Sequence, residues 1–203
     1  MNIVKNIFSV GSVRDFKVEL CKRQDVVSFI ERWHYSKNVN GLTTDYCFKL
    51  QDVNGVLIGC IIYGKIAMAN VWKKYAEKES DLIELKRLCC IDDTPKNTES
   101  FFIGSTLRWL KKNTEIKIVI SYADMTYSHR GTIYKASNFT YNGITAKGRV
   151  IMYNGKRYHD KTIRTKYNGN LKPFAIKIKN ALDSGQAQYV NTLGKHIYTY
   201  LLK

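Results

Sequence analysis

Side chains capable of acid–base chemistry follow an apolar run near the middle of the chain. Residues 116–123 are almost unbroken in apolar character, Asp124 comes directly after them, and His129 and Tyr134 follow. Such a run is typical of a strand buried on both faces, and an Asp at its end can act as a general base or orient one. The same Asp also suits an Asx turn or a helix cap, and the residues alone leave both interpretations open.

Two further segments bring together groups that could take part in catalysis. His34-Tyr35-Ser36 places an imidazole, a phenol and a hydroxyl side by side, and Asn97-Thr98-Glu99-Ser100 precedes a helical pattern. Free N–H groups at the start of a helix bind anions or developing oxyanions. Simpler roles are a packed or surface histidine and an ordinary helix cap.

The hydrophobic periodicity predicts an ordered alternation of helices and strands that would position these groups. The apolar stripes are Val26, Ile30 and Trp33 in the first helix and Ile103, Leu107 and Leu110 in the second. Asn54-Gly55 marks a tight hairpin between two strands. The predicted helices are residues 24–34, 98–113, 131–137 and 174–183, and the predicted strands are 45–51, 56–63, 82–90, 116–123, 139–142, 150–153 and 197–202.

This order predicts an α/β (α+β) fold with a mixed central β-sheet flanked by helices. Ligands are expected at the carboxyl ends of strands 82–90 and 116–123, where the polar clusters lie. Glu84, Lys86 and Arg87 lie within a core strand, and we expect these charges to be paired if they are buried.

The chain is strongly basic, and the charge is unevenly distributed. Its 203 residues contain 33 Lys and Arg against 17 Asp and Glu, a formal net charge of +16, and residues 147–203 contain 12 against 2. Tyr153, Tyr158 and Tyr167 are interleaved with these cations. Cations hold phosphates and aromatic rings stack on bases, so the pattern favours a nucleic-acid partner. A solvated basic surface without a specific partner is the alternative.

Composition also restricts the class of protein. No apolar run approaches the roughly 18 residues of a membrane-spanning helix, and polar residues interrupt every apolar stretch of a signal peptide within residues 1–30. We therefore expect a cytoplasmic protein. The five Cys residues form no CxxC pair, which argues against a disulfide framework or a structural zinc site.

Five short motifs together resemble the Mom family of bacteriophage DNA-modification proteins. They match in order from about residue 30 to residue 145, and the basic C-terminal part is matched only loosely. The motifs are His34-Tyr35-Ser36, Glu84-Leu85-x-Arg87, Asn97-x-Glu99-Ser100, Ser121-Tyr122-Ala123-Asp124 and Gly131-Thr132-Ile133-Tyr134-x-Ala136-Ser137-Asn138-Phe139.

The resemblance implies a fold like that of the GNAT acetyltransferases and a transferase activity on DNA. Mom-like proteins convert adenine in duplex DNA to N6-carbamoylmethyladenine, which protects phage DNA from restriction inside the bacterial host. We predict one domain, with residues 1–146 as the GNAT-like catalytic core. Residues 147–203 would continue that domain and form a DNA contact surface.

The resemblance and the chemistry of the residues together give a predicted site. The catalytic group is His34, Tyr35, Ser100, Asp124 and Tyr134. The substrate- and donor-binding group is Ser36, Arg87, Asn97, Gly104, Ser121 and His129. The DNA-binding group is Lys37, Lys147, Arg149, Lys156, Arg157, Arg164 and Lys166.

The cofactor is left open by these motifs. Typical GNAT proteins have a glycine-rich pyrophosphate loop before the main helix, whereas the corresponding stretch here contains the single Gly104, which argues against acetyl-CoA as the donor. His34 and Asp124 together could bind a metal ion, but two ligands do not define a site. The expected partners are double-stranded DNA and an unidentified activated donor, and a homodimer is one possible assembly.

Two other functions compete with this prediction. One is an acyl-CoA-dependent GNAT N-acetyltransferase that acts on a protein or a small molecule. The other is a non-catalytic basic DNA-binding or anti-defence protein on the same scaffold. The presence of His34, Ser100, Asp124 and Tyr134 is the feature of the sequence that favours an enzyme.

Overall fold

A computed structural model describes residues 12–37, 39 and 41–203, and the predicted elements are present with small shifts of their ends. The helices are α1 Val27–Trp33, α2 Thr98–Asn113, α3 Thr132–Ala136 and α4 Pro173–Asp183. The strands are β1 Lys17–Leu20, β2 Tyr46–Gln51, β3 Leu57–Gly64, β4 Leu82–Cys90, β5 Ile118–Asp124, β6 Thr140–Ile144, β7 Gly148–Tyr153, β8 Lys156–His159, β9 Lys166–Tyr167, β10 Asn170–Leu171, β11 Ala187–Thr192 and β12 Lys195–Leu201.

Seven strands form the central sheet in the order β1-β2-β3-β4-β5-β12-β6. β1 to β4 are antiparallel neighbours, and β4 and β5 are parallel. The hairpin between β2 and β3 turns at Gly55, whose φ of +77° favours glycine. The Asp52 carboxylate accepts hydrogen bonds from the amides of Asn54 and Val56 and thereby fixes this turn.

The parallel ladder between β4 and β5 is short. It runs from the pair Leu82–Ile118 to the pair Leu85–Ser121, whereas β4 itself continues to Cys90. The α2 helix follows β4, as in the predicted strand–helix connection. The second half of β4 therefore lies at the carboxyl end of the sheet, where open α/β sheets bind ligands.

The two predicted apolar stripes have different outcomes. Ile103, Leu107 and Leu110 are buried, as predicted for α2. Of the stripe predicted for the first helix, Val26 and Ile30 are buried, but the prediction for Trp33 is wrong, since 44% of its surface is exposed. Val26 ends a 3₁₀ turn over Arg23–Val26 and has non-helical angles, with φ −120° and ψ 0°, so the three residues do not belong to one continuous helix, and Phe29 is buried instead of Trp33.

The described chain divides into two compact units. The first contains the residues up to Tyr122 together with 131–143 and 197–203, and the second contains 123–130 and 144–196. The predicted division between residues 146 and 147 stays a prediction. The last predicted strand, 197–202, corresponds to β12, which lies in the central sheet between β5 and β6.

The second unit has a sheet and a helix of its own. Its three strands follow the order β11-β7-β8, and Ile178 and Ala181 of α4 form a small buried core with Ile151 and Ala187 of this sheet. Strands β8, β9, β10 and β11 are not among the elements that the hydrophobic periodicity predicts. Within the described part of the chain, no helix has both the length and the apolar character needed to cross a bilayer.

Candidate functional site

Tyr134 lies at the centre of the predicted residues in the first unit. Gly131, with a φ of +69°, begins α3 and turns the chain so that Tyr134 is buried in the next turn. The Tyr134 hydroxyl is hydrogen-bonded to Ser121, whose Oγ also donates to the Leu85 carbonyl at 3.1 Å. Burial raises the pKa of Tyr134 to about 12, so the phenol stays protonated at neutral pH.

The His34-Tyr35-Ser36 motif forms a tight turn after α1. The Nδ1 atom of the buried His34 accepts the amide N–H of Ser36 at 3.1 Å and lies 2.8 Å from the Ser36 hydroxyl. Because Nδ1 accepts a backbone proton, neutral His34 carries its own proton on Nε2 and presents a donor there. The His34 and Tyr35 rings are 4.2 Å apart, and Tyr35 lies near enough to Tyr134 to raise its pKa.

Two carboxylates missing from the predicted site also lie near Tyr134. The negative charges of Glu84 and Glu99 both raise the pKa of the Tyr134 phenol. Both residues belong to the motifs that resemble the Mom family. Their place in those motifs is the sequence feature that could have identified them as site residues. Their approach to Tyr134 depends on how β4, α2 and α3 come together, which the spacing in the sequence does not give.

Glu84 and Lys86 form a buried ion pair on β4. Their charged atoms are 3.2 Å apart, and only 14% of the Glu84 side chain and 4% of the Lys86 side chain are exposed. Glu84 also accepts the amide of Ala67 at 3.1 Å. The prediction that buried charges in this strand are paired is therefore confirmed for these two residues.

The guanidinium of Arg87, which is predicted to bind the donor, has hydrogen-bond partners within the described part of the protein for only part of its N–H groups. One of its terminal nitrogens donates to the Lys86 carbonyl at 2.7 Å. Its Nε atom is buried and has no hydrogen-bond partner among the described residues. A buried donor without a partner is unfavourable, so this guanidinium could still bind an acceptor on a ligand.

The first turn of α2 satisfies much of its own polar chemistry. Asn97 is the N-cap residue in a left-handed conformation with a φ of +70°, and its side chain makes no capping hydrogen bond. The Ser100 hydroxyl donates to the Asn97 carbonyl at 3.0 Å, and the Thr98 hydroxyl donates to the Pro95 carbonyl at 2.7 Å. The Ser100 oxygen could therefore accept a hydrogen bond from the donor molecule. To donate one, Ser100 would first have to break its hydrogen bond with Asn97.

The residues around this turn do not fit the pyrophosphate of CoA. Asp92 and Asp93 precede this turn in the sequence, Glu99 lies within it, and Lys96 is the one cation among residues 91–100. Although the Glu99 side chain reaches solvent, burial of its carboxyl and the charge of Asp92 raise its pKa. A Cβ added to Gly104 would meet only the end of the Arg108 side chain, at 3.4 Å, so no close packing demands glycine there.

Asp124 and His129 belong to the second unit. The Asp124 carboxylate caps the short 3₁₀ turn Met125–Tyr127 by accepting the Thr126 amide at 3.0 Å, so the capping role left open by the sequence is present. Its other oxygen lies 3.3 Å from the Lys195 ammonium. Burial favours the neutral acid, but Lys195 and Thr126 outweigh it and lower the pKa of Asp124. His129 is exposed, and its amide donates to the Asp124 carbonyl at 3.3 Å.

No three His, Cys, Asp or Glu side chains in the described ranges are grouped closely enough to hold a metal ion. The two residues considered for a metal, His34 and Asp124, lie in different units. The residues that the structure describes therefore give no set of ligands through which a metal-dependent step can be derived.

The second unit concentrates the predicted DNA-binding cations. Residues 123–130 and 144–196 contain 12 Lys and Arg against 3 Asp and Glu, a formal net charge of +9. Arg149 and Arg164 share the Asp160 carboxylate, at 3.4 and 3.3 Å, so part of their charge is compensated. Arg157 donates to the Tyr127 hydroxyl at 2.7 Å. All seven cations of the group are exposed, and those outside the contacts just described are Lys147, Lys156 and Lys166 in this unit and Lys37 in the first.

Solved structures of acetyltransferases have the same fold. A mutant of the spermidine N-acetyltransferase SpeG from Vibrio cholerae matches with a TM-score of 0.53 at 9% identity, covering 93% of this chain and 95% of that one. SpeG from the same organism in complex with manganese ions matches with a TM-score of 0.52 at 10% identity, covering 94% of each chain. The chain therefore has the GNAT-like fold that the motifs implied.

Sequence comparison gives the family. No curated protein matches the chain at a significant level. The model of the Mom protein family matches residues 15–203, which includes the predicted site and both units. This chain belongs to the Mom protein family.

Proposed function

We propose that this protein is a DNA-modifying transferase that adds a carbamoylmethyl or related group to N6 of adenine in duplex DNA. In a phage, the modification would protect the DNA from host restriction. The observation that carries the proposal is the match to the Mom protein family over residues 15–203. The +9 charge of the second unit supports DNA as the partner, since cations that neutralise phosphates supply most of the affinity for nucleic acid.

The reaction on adenine sets three physical requirements. The N6 lone pair is delocalised into the ring, and the base lies inside the stack, so the base must be extruded at a cost of about a few kcal/mol. N6 must then be held against the activated carbon of the donor. As the N6–carbon bond forms, the donor's leaving group departs with the electron pair of the broken bond, and a proton on N6 passes to an acceptor.

The first unit offers groups for holding an extruded base. Tyr35 is 42% exposed and its ring lies against His34, which gives a flat surface for stacking. His34, with its proton on Nε2, would donate a hydrogen bond to the base or to the donor, and the Tyr134 oxygen, whose proton is directed to Ser121, would accept one. Ser36 and Ser121 hold these two side chains in place.

Two carboxylates are candidates for the proton acceptor. The lowered pKa of Asp124 makes its carboxylate a weak base, which suits a residue that orients or stabilises charge. The raised pKa of Glu99 makes its carboxylate the stronger base of the two. We therefore assign Asp124 an orienting role and Glu99 the role of proton acceptor. The variants Glu99→Gln and Asp124→Asn test these two roles separately.

The donor is proposed to be an activated small molecule other than acetyl-CoA. The acidic surroundings of the α2 N-terminus would repel a pyrophosphate. Arg87, with its unpartnered Nε, would bind a carboxylate or another acceptor on the donor. The other proposed contacts of the substrate and donor are Ser100, Asn97, Gly104 and His129.

Nucleoside mass spectrometry tests the proposal directly. DNA is digested from cells that express the unchanged protein, Asp124→Asn or the control Asp183→Asn, which alters an exposed Asp at the end of α4. A new adenosine species should appear with the unchanged protein and the control and disappear with Asp124→Asn. Unmodified DNA with the unchanged protein would refute the activity, and full modification with Asp124→Asn would refute the role of Asp124.

A second function has one observation in its favour, namely the fold shared with spermidine N-acetyltransferases. An acetyltransferase would release free CoA thiol from acetyl-CoA when a polyamine or peptide amine is supplied. The formal net charge of +16 disfavours a polycationic acceptor. Thiol release above background would support this function, and its absence beside modified adenosine would exclude it.

A further inference from the structure

One segment of the second unit contains six cations and no acid of its own, and among the six Arg164 is paired with Asp160, just before the segment. Residues 161–182 contain no Asp or Glu, and their six cations are Lys161, Arg164, Lys166, Lys172, Lys177 and Lys179. This segment contains a two-stranded hairpin and most of α4. A single-sign surface of this size attracts polyanions.

The hairpin of β9 and β10 is short and well fixed. Asn168 and Gly169 turn the chain with φ values of +48° and +80°, the left-handed pair of a tight two-residue turn. The amide of Lys172 donates to the Thr165 carbonyl at 2.9 Å and closes the base of the hairpin. Pro173 then begins α4 at once, so the hairpin is joined to a helix without a linker.

Tyr167 projects from this hairpin into solvent. Its exposed fraction is 69%, and the Lys172 ammonium lies 6.0 Å from the centre of its ring. Together with Asn168, Asn170, Leu171 and Lys172 it lines a concavity of about 490 Å³, and we call these five residues the hairpin patch. A second exposed aromatic residue, Phe174, follows the patch two residues later in the sequence, and 48% of its surface is exposed. An exposed tyrosine ring with a cation nearby is well suited to stack on a base whose phosphate the cation binds.

The charge on α4 is reversed with respect to the helix dipole. Lys172 is the N-cap residue, the first turn contains no acid, and Asp183 is the last residue of the helix. A helix is stabilised by acids at its N-terminus and by bases at its C-terminus. The arrangement therefore gives up local stability and strengthens the positive potential where α4 meets the hairpin patch, as an anion site requires.

We infer that the hairpin patch binds an unpaired or unstacked stretch of nucleic acid. One base would stack on Tyr167, the amides of Asn168 and Asn170 would meet base edges, and Lys166, Lys172 and the start of α4 would hold the adjacent phosphates. The hairpin tip is Asn-Gly-Asn, which is polar and therefore unsuited to insertion into a lipid surface. The inference rests on the proposed function in that DNA is the substrate.

Fluorescence titration tests stacking on Tyr167. The probe is a short single-stranded oligonucleotide that contains 2-aminopurine, whose emission is quenched by stacking. Tyr167→Ala and Tyr167→Leu should weaken binding about tenfold and abolish the quench, since stacking contributes on the order of 1–3 kcal/mol per base. Tyr167→Phe should bind like the unchanged protein, because it keeps the ring. Leu201→Ala, at a residue with 70% exposure in the first unit, is the control and should change nothing.

The Leu variant separates stacking from general apolar contact. Binding by Tyr167→Leu equal to that of the unchanged protein, or binding by Tyr167→Ala equal to that of Leu201→Ala, overturns the inference. The inference is also overturned if phosphatidylglycerol vesicles capture the unchanged protein and every variant except Tyr167→Ala. That result would identify a membrane surface as the partner. Because this assay needs no donor, absence of modified adenosine together with a ring-dependent quench would refute the proposed function and leave the hairpin patch supported.

Discussion

Replacement of Gly131 by Ala should destabilise the first unit through two additive effects. Gly131 has a φ of +69°, and an Ala in the left-handed region costs about 1–2 kcal/mol. The new Cβ would also collide with the ring of Tyr198, which is only 1% exposed and is packed against Tyr134 and Tyr141 at centroid distances of 5.3 and 5.4 Å. Forcing that ring aside should cost about 1–3 kcal/mol.

The sum is about 2–5 kcal/mol, and a matched variant isolates the collision. Gly155 has a φ of +70°, and a Cβ there meets nothing within 4 Å, so Gly155→Ala carries only the backbone cost. Urea unfolding followed by far-UV circular dichroism gives both free energies of unfolding. Equal losses of stability in the two variants would show that the collision with Tyr198 contributes nothing.

Three further results are expected. Tyr63→Phe removes a fully buried hydrogen bond of 2.7 Å to Thr106 and should lower the free energy of unfolding by about 1–2 kcal/mol, measured by urea unfolding. Lys86→Met leaves the Glu84 carboxylate buried without its partner and should cost about 3–5 kcal/mol in the same assay. The pKa of Tyr134 is raised to about 12. Its contribution to stability is therefore complete below about pH 10 and lost as the pH rises towards 12, so the urea midpoint should fall less steeply in Tyr134→Phe than in the unchanged protein.

Each of these expectations has a control or a contradicting result. Lys17→Met alters an ion pair whose Lys side chain is 70% exposed, and it should change stability by less than about 1 kcal/mol. Equal losses for the Lys17 and Lys86 variants would show that burial of the Glu84–Lys86 pair is irrelevant. An unchanged midpoint for Tyr63→Phe would contradict the cost assigned to its hydroxyl. Parallel pH profiles for the protein and Tyr134→Phe would contradict the burial of the phenol.

Elements with strong local signals were predictable from the sequence. The residues of β4 and α2 coincide with the predicted ranges 82–90 and 98–113, because alternation and helical periodicity are unambiguous there. β1 and β11 were missed, since each contains mostly exposed or half-buried residues and shows no alternating apolar face. Strands of this kind are held by their neighbours in the sheet, and that information is not local.

The site was predictable in part for the same reason. The motif residues His34, Ser121 and Tyr134 are all buried. The hydrogen bond between Ser121 and Tyr134 and the approach of Glu84 and Glu99 arise only when β4, β5, α2 and α3 are assembled. The lowered pKa of Asp124 likewise depends on Lys195, which lies far along the chain.

The position of β12 in the central sheet has a consequence for how the protein is made. β6 joins the sheet only through β12, and the chain leaves β5 at Asp124 and returns at Lys195. Until the ribosome has released β12, the apolar strand β5 is an open edge of the sheet and β6 has no place beside it. Such an edge is a template for pairing between nascent chains. Newly synthesised copies should therefore depend on chaperones during the interval in which the second unit is translated.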